Sequence, residues 1–214
     1  MRMKYVITLL ILLAGTITKA ESVRTFFISE PGKVFVLIPQ GVRAAMITMA
    51  EEGKKIVSNN SDNGTVQIDS LTESFISVRC SDAKQVEIKM LTKGKSDTVL
   101  AVVETMRLPA MDSKISFYNT RWQPIAPGKC LKGGMVEMRH FIKRGTPAAM
   151  VEMIERTIPF PLIWLSFAHE GGKLVAKHQL KAFLSEEDFG KIAPYLLDAI
   201  SYDIHNTQLK RTKP

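Results

Sequence analysis

Apolar positions recur at helical spacing early in the chain and at alternate residues through its middle. From Pro39 to Glu52, Val42, Ala45, Met46 and Met49 fall on one face at three- and four-residue intervals. Pro39 suits a first turn and Gly53 a stop, so the pattern predicts a helix. Phe26-Phe27-Ile28 and Val34 to Ile38 are apolar but undecided between extended and helical. Strands follow. Asn63-Gly64 marks a tight turn between Lys55–Asn59 and Thr65–Ile68. Ile76, Val78 and Cys80 alternate with Ser77 and Arg79, and Val86, Ile88 and Met90 alternate with Glu87 and Lys89. Gly94-Lys95-Ser96-Asp97 turns the chain into Val99 to Met106, which reads as a more fully buried strand, and Lys114 to Tyr118 adds Ile115 and Phe117 on one face. Strands this close, joined by short polar turns, predict an antiparallel meander.

The second half mixes periods. Thr146-Pro147 reads as a helix cap and first residue, followed by an apolar stripe of Met150, Val151, Met153 and Ile154 that Pro159 ends. Leu162 to His169 and Lys173 to Leu180 predict a hairpin turning on Gly171-Gly172, which would oppose His169 to Leu174 and His178 to Leu165. Ser185 with Asp188 three residues on opens a helix carrying Phe189, Ile192 and Leu196, kinked or ended by Pro194. Ile200, Tyr202 and Ile204 alternate as a last strand. The fold class is α+β, a strand meander with a few packed helices. It forms a single domain over 21–209 whose only candidate subdivision lies near 125–145, with a basic tail at 210–214.

The first residues follow another pattern. Arg2 and Lys4 precede the apolar stretch Val6 to Ala14, and Thr18-Lys19-Ala20 supplies small residues before Glu21. That order predicts a cleavable secretory signal, cut between Ala20 and Glu21, with an uncleaved anchor as the other reading. The apolar stretch falls short of the roughly 20 residues that span a bilayer. No later segment is long and apolar enough to cross, since Pro159 and Pro161 break the best one. The predicted product is periplasmic and has no transmembrane segment after cleavage.

Removing the signal changes the charge picture. The whole chain carries a formal +8, but three basic residues and no acids leave with Met1–Ala20, so 26 basic residues face 21 acidic ones. Lys210, Arg211 and Lys213 of the tail hold most of the remaining excess, and the body of the domain is nearly balanced. That is no footprint for nucleic acid. The tail reads as a solvated end or as a contact to an anionic surface. Cys80 and Cys130, an even number in an oxidising compartment, are candidates for one disulfide closing a loop of about 50 residues and adding roughly 4 kcal/mol; two separate thiols are the other reading.

Chemistry is sparse. The sequence lacks HExxH, GxSxG and CxxC, and Gly94-Lys95-Ser96 lacks the upstream glycine of a phosphate loop. His140, His169, His178 and His205 are too scattered to predict a metal site, and no cofactor is implied. Glu186-Glu187-Asp188 suits a helix N-terminus without catalysis. Tyr118, Arg121 and Trp122 are the residue types that dominate binding hot spots, so they form a candidate interaction patch; the other reading places Phe117 and Trp122 in the core.

Asp112-Ser113-Lys114-Ile115-Ser116-Phe117-Tyr118, followed by Trp122, resembles the central motif of a family of exported proteins of unknown function typical of Bacteroides-like bacteria. Arg43 on its helix, Leu71 to Ile76, Ile88 to Leu91, Leu184 to Asp188 and Pro194-Tyr195-Leu196 fit the same plan in order. The resemblance implies an envelope location and no activity, and it does not include the cysteines. In that setting Asp69-Ser70-Leu71 and Asp97-Thr98-Val99 match a short pattern for O-glycosylation, making Ser70 and Thr98 candidate sites. The functional expectation is a non-enzymatic binding module for an envelope protein or surface ligand. The alternative is an envelope hydrolase built from scattered carboxylates and histidines.

Overall fold

The computed structural model describes residues 22–212, apart from 55, 56, 63, 95, 96, 108, 159, 161, 169 and 170. The predicted signal, Ala20 and Glu21 included, lies outside the described residues. Seven strands run in chain order as one meander: β1 (Val57–Asn59), β2 (Thr65–Leu71), β3 (Phe75–Arg79), β4 (Lys84–Lys93), β5 (Asp97–Met106), β6 (Asp112–Asn119) and β7 (Pro124–Ile125). Every neighbouring pair is antiparallel. The predicted turn at Asn63-Gly64 is part of a longer connection, in which Asn63 is not described. Asn60 organises it: its side-chain oxygen accepts the N–H groups of Asp62 (3.0 Å) and Gly64 (2.8 Å).

Both faces of this sheet are covered, so β3 and β5 are buried on successive residues rather than alternate ones. On one face, helices α1 (Val23–Ser29) and α2 (Gln40–Glu51) and the segment joining them set Phe26, Phe27, Phe35, Met46 and Ile47 against Ile76, Val78, Val86, Ile88, Leu100 and Val102. On the other, Phe75, Leu91, Ala101, Val103, Ile115 and Phe117 meet a second sheet. The two cysteines are split by these layers. Cys80 belongs to the helix-side core and Cys130 to the core between the sheets, and both thiols are free. The disulfide expected from their even number is not present.

The second sheet has the order β8-β12-β11-β10-β9, from β8 (Leu131–Lys132), β9 (Ile163–Ala168), β10 (Lys173–His178), β11 (Ile200–His205) and β12 (Gln208–Arg211). The change of sheet falls between Ile125 and Leu131, at the start of the 125–145 stretch, across the short helix α3 (Pro127–Cys130). Lys210 and Arg211, the first residues of the predicted basic tail, are strand residues of β12, Lys210 paired with both β11 and β8 and Arg211 with β11; Lys213 and Pro214 lie outside the described residues. The β9–β10 register opposes Leu174 to Phe167 and His178 to Ile163, two residues from the predicted alignment. The connection is longer than a two-residue turn, and Gly172 N–H reaches Ala168 O at 2.9 Å. A slip of two keeps every side chain on its predicted face, so Leu174 and Ala176 still point into the core.

Helix α2 is rotated from its predicted phase. Arg43, Met46 and Ile47 are buried while Ala45 is exposed, because the helix packs around an arginine that pattern reading assigns to water. Helix α4 (Ala148–Thr157) follows Pro147, but Thr146 donates its hydroxyl to Lys143 O at 2.7 Å instead of capping. Ser185 does cap α5 (Glu186–Ile192), accepting Asp188 N–H at 3.0 Å.

Candidate binding groove

Gly133 and Gly134, at φ 102° and 82°, bend the chain away from β8. The following segment is pinned in three ways. Phe141 is wholly buried in the core between the sheets. Glu137 and His140 close a reciprocal cap on the 3-10 turn Met138–Phe141, with Glu137 N–H donating to His140 Nδ1 at 3.2 Å. Ile142 bridges to Leu196, and Leu197 N–H reaches Phe141 O at 2.7 Å. Helix α4 lies beside this segment and is anchored by Ile154, its one fully buried residue.

Between them runs a groove of about 460 Å³, lined by Val136, Met138, Ile142, Ile154 and Ile158 with Glu137, Arg139 and Glu155 at its rim. A smaller hollow of about 190 Å³ continues past Val136 to Asp112, Ser113, Met135 and Ile163 at the junction of β6 and β9. Met135 is 42% exposed at this junction, a large apolar side chain left in water. Glu137 pairs with Arg139 at 2.8 Å, leaving the Glu155 carboxylate as the rim's remaining acid. An apolar floor with a thin charged rim fits an apolar segment of a partner.

Polar side chains form a seam between the sheets. Glu87 is 6% exposed and accepts the N–H of Phe167 at 2.7 Å and the hydroxyl of Ser166 at 3.0 Å. Burial raises its pKa, against the pull of those two hydrogen bonds. Asp112 accepts Ile163 N–H at 3.2 Å and Ser113 accepts Leu165 N–H at 3.0 Å, so three side chains of the first sheet cap the free edge of β9. Lys89 donates to Ser74 at 2.8 Å, and burial lowers its pKa.

The histidines do not converge. His140 belongs to the groove segment, His178 packs on Phe141 and Phe189, His205 is exposed at the end of β11, and His169 lies outside the described residues. Burial is the leading cause that lowers the pKa of both His140 and His178. Among the described residues no three His, Cys, Asp or Glu side chains are placed to hold a metal ion. The candidate aromatic patch is largely core. Trp122 is 6% exposed, sits at φ 59° in the β6–β7 turn and packs on the half-buried Tyr118 ring at 5.3 Å; only Arg121 is exposed. Asn119 builds that turn by accepting the N–H groups of Arg121 and Gln123. Ser70 stands half-buried beside a bulge in β2 and Thr98 half-buried opposite Thr92 near the start of β5, so both lie within strands. The groove had a sequence signal in the predicted apolar stripe of α4, which holds Ile154, and in Ile158 just beyond it. Val136, Met138 and Ile142 follow no period because their segment is irregular.

A family model described as "Protein of unknown function (DUF3256)" matches residues 16–208. A solved structure of a domain of an uncharacterized protein from Porphyromonas gingivalis W83 superposes with a TM-score of 0.77 at 21% identity, covering 91% of this chain and 100% of that one. At that identity the likeness shows the fold. No curated protein matches the chain.

Proposed function

We propose that this chain, which belongs to the DUF3256 family of proteins of unknown function, is an exported envelope protein that binds a partner through the groove between the 135–142 segment and α4. The groove carries the reading. Val136, Met138, Ile142 and Ile158 present apolar surface to solvent around a concavity of about 460 Å³. Export is supported by the order of charge, apolar stretch and small residues in Met1–Ala20. Among the described residues no helix is long and apolar enough to cross a membrane.

The test is photo-crosslinking in the intact cell envelope. A photoreactive side chain at Val136 or Ile158 should capture one protein partner, and the same group at Val36, which is 69% exposed on the helix side, should not. Ile142→Glu should abolish capture without unfolding the chain, because Ile142 is only half-buried. The mass of the captured chain should place its first residue at Glu21 and would reveal any glycan on Ser70 or Thr98. Equal capture from Val36 and Ile158 would refute the groove, and a first residue at Met1 would refute export through a cleaved signal.

A further inference from the structure

The outer face of the second sheet carries a row of charged side chains. Its composition follows from register. Leu131, Leu209, Tyr202 and Leu174 point into the core, so their neighbours point out. Lys132, Lys210, Asp203 and Lys173 then stand side by side on β8, β12, β11 and β10. The row spans three strand spacings, about 14 Å. Asp203 holds Lys173 at 3.1 Å and accepts the Thr212 hydroxyl at 3.1 Å, so the row keeps a net positive charge and one fixed ammonium. Four residues along β10, Lys177 places its ammonium 5.5 Å from the centre of the Trp164 ring. Trp164, Ser166, Ala168, Val175 and Lys177 enclose a hollow of about 160 Å³.

We propose that this face docks an acidic polysaccharide, with one sugar ring on Trp164 and the carboxylates of neighbouring units on Lys177, Lys173, Lys210 and Lys132. The hollow is smaller than the roughly 300 Å³ at which sites for drug-sized ligands begin. It suits one ring-sized unit, while the charges extend well beyond it, so the ligand must be a chain. Indole covers the apolar C–H face of a sugar, and the Lys177 ammonium already over the ring supplies the counter-charge. A lipid surface fits less well. The large exposed apolar side chains, Val36, Leu37, Val57, Met106, Met135, Met153 and Phe160, all lie off this face, which leaves it nothing to insert between lipids. A protein partner would need an apolar centre that a row of lysines does not provide.

The experiment uses the mature chain from Glu21, with calorimetry and tryptophan fluorescence. The probes are polygalacturonate oligomers, neutral dextran of matched length, and vesicles of phosphatidylglycerol with phosphatidylcholine. Polygalacturonate should bind, weaken steadily as salt rises, and change the Trp164 emission, and dextran should not bind. Trp164→Ala should weaken binding about tenfold with the salt dependence kept, and Trp164→Tyr should restore most of it. Replacing Lys132, Lys177 and Lys210 with Gln should flatten the salt dependence, and these exposed positions leave the fold intact. Three results would overturn the proposal: no binding of polygalacturonate at low salt, unchanged affinity in Trp164→Ala, or binding of the vesicles alone. Each is independent of the groove, because Trp164 and the lysines do not line it.

Discussion

Arg43 and Glu30 form a buried pair whose polar groups meet the backbone as well as each other. Arg43 donates to the carbonyls of Ile38 (2.7 Å), Ile28 (3.1 Å) and Glu30, and its guanidinium stands 3.6 Å from the Glu30 carboxylate. Glu30 in turn accepts the N–H groups of Gly32, Lys33 and Val34 at 2.9, 2.7 and 2.9 Å. These bonds satisfy a stretch with no strand or helix ladder of its own, which is why Val34 to Ile38 showed no period. Burial pulls the Arg43 pKa below its ordinary value, and the nearby Glu30 charge opposes that pull. Removing one partner strands the other charge in the interior. Arg43→Met should therefore cost about 3–5 kcal/mol in urea unfolding. Arg43→Lys, which keeps the charge but not the fork of donors, should fall between the two. A loss below about 1 kcal/mol for Arg43→Met would show that the backbone around Glu30 holds itself.

At the scale of elements, β9 is the edge strand whose N–H groups end on side chains rather than on another strand. Glu87 makes the shortest of the three caps, at 2.7 Å, with Ser113 at 3.0 Å and Asp112 at 3.2 Å completing them. Glu87→Ala would leave the Phe167 N–H buried and unpaired, a loss of about 1–3 kcal/mol, whereas Glu87→Gln keeps an acceptor and should lose less. The pH dependence has a definite sign. Burial raises the native pKa of Glu87, so between the ordinary glutamate value and that raised value the folded state holds the extra proton. Stability from this group is fully present below the unfolded pKa and declines as pH rises through the native one. Subtracting the Glu87→Gln curve from wild type, by chemical denaturation across that range, should isolate this decline; parallel curves would show that Glu87 ionises as it does in water. Sequence reading missed the seam for the same reason that it found the strands. Alternation of Val86, Ile88 and Met90 with Glu87 and Lys89 is the signature of a sheet with one wet face, and it located β4. It could not show that a second sheet would cover the wet face and supply Phe167 N–H as a partner. The same limit turned α2 about its axis, since Arg43 counts as polar until Glu30 and the carbonyls around it are in place. Strands β8 and β12 were missed because two and four residues are too few to show a period.

The whole molecule is layered as helices, meander and second sheet, and the two cysteines report on its two cores separately. Cys80, 5% exposed, lies under the helices, where burial pushes its thiol up to about 12. Cys130, 3% exposed, lies between the sheets, where burial also raises its pKa, against Lys132 and Lys129. A thiol reacts as its thiolate, so both are protected twice, by exclusion of the reagent and by their protonated state. An oxidising compartment would supply the potential for a bridge, but the meander stands between the partners, and bridging would require the cores to open. Labelling the native protein with an aromatic disulfide reagent at pH 8 should therefore leave both cysteines unmodified over hours, and both should react at once in denaturant. The layers also allow the two thiols to be released separately. Two cores on opposite faces of one sheet can open independently, so partial denaturant that frees only one thiol would show which side loosens first. Because nothing links the cysteines, the unfolding midpoint should be the same with and without reductant. A midpoint that falls when reductant is added would mean that a bridge forms after all.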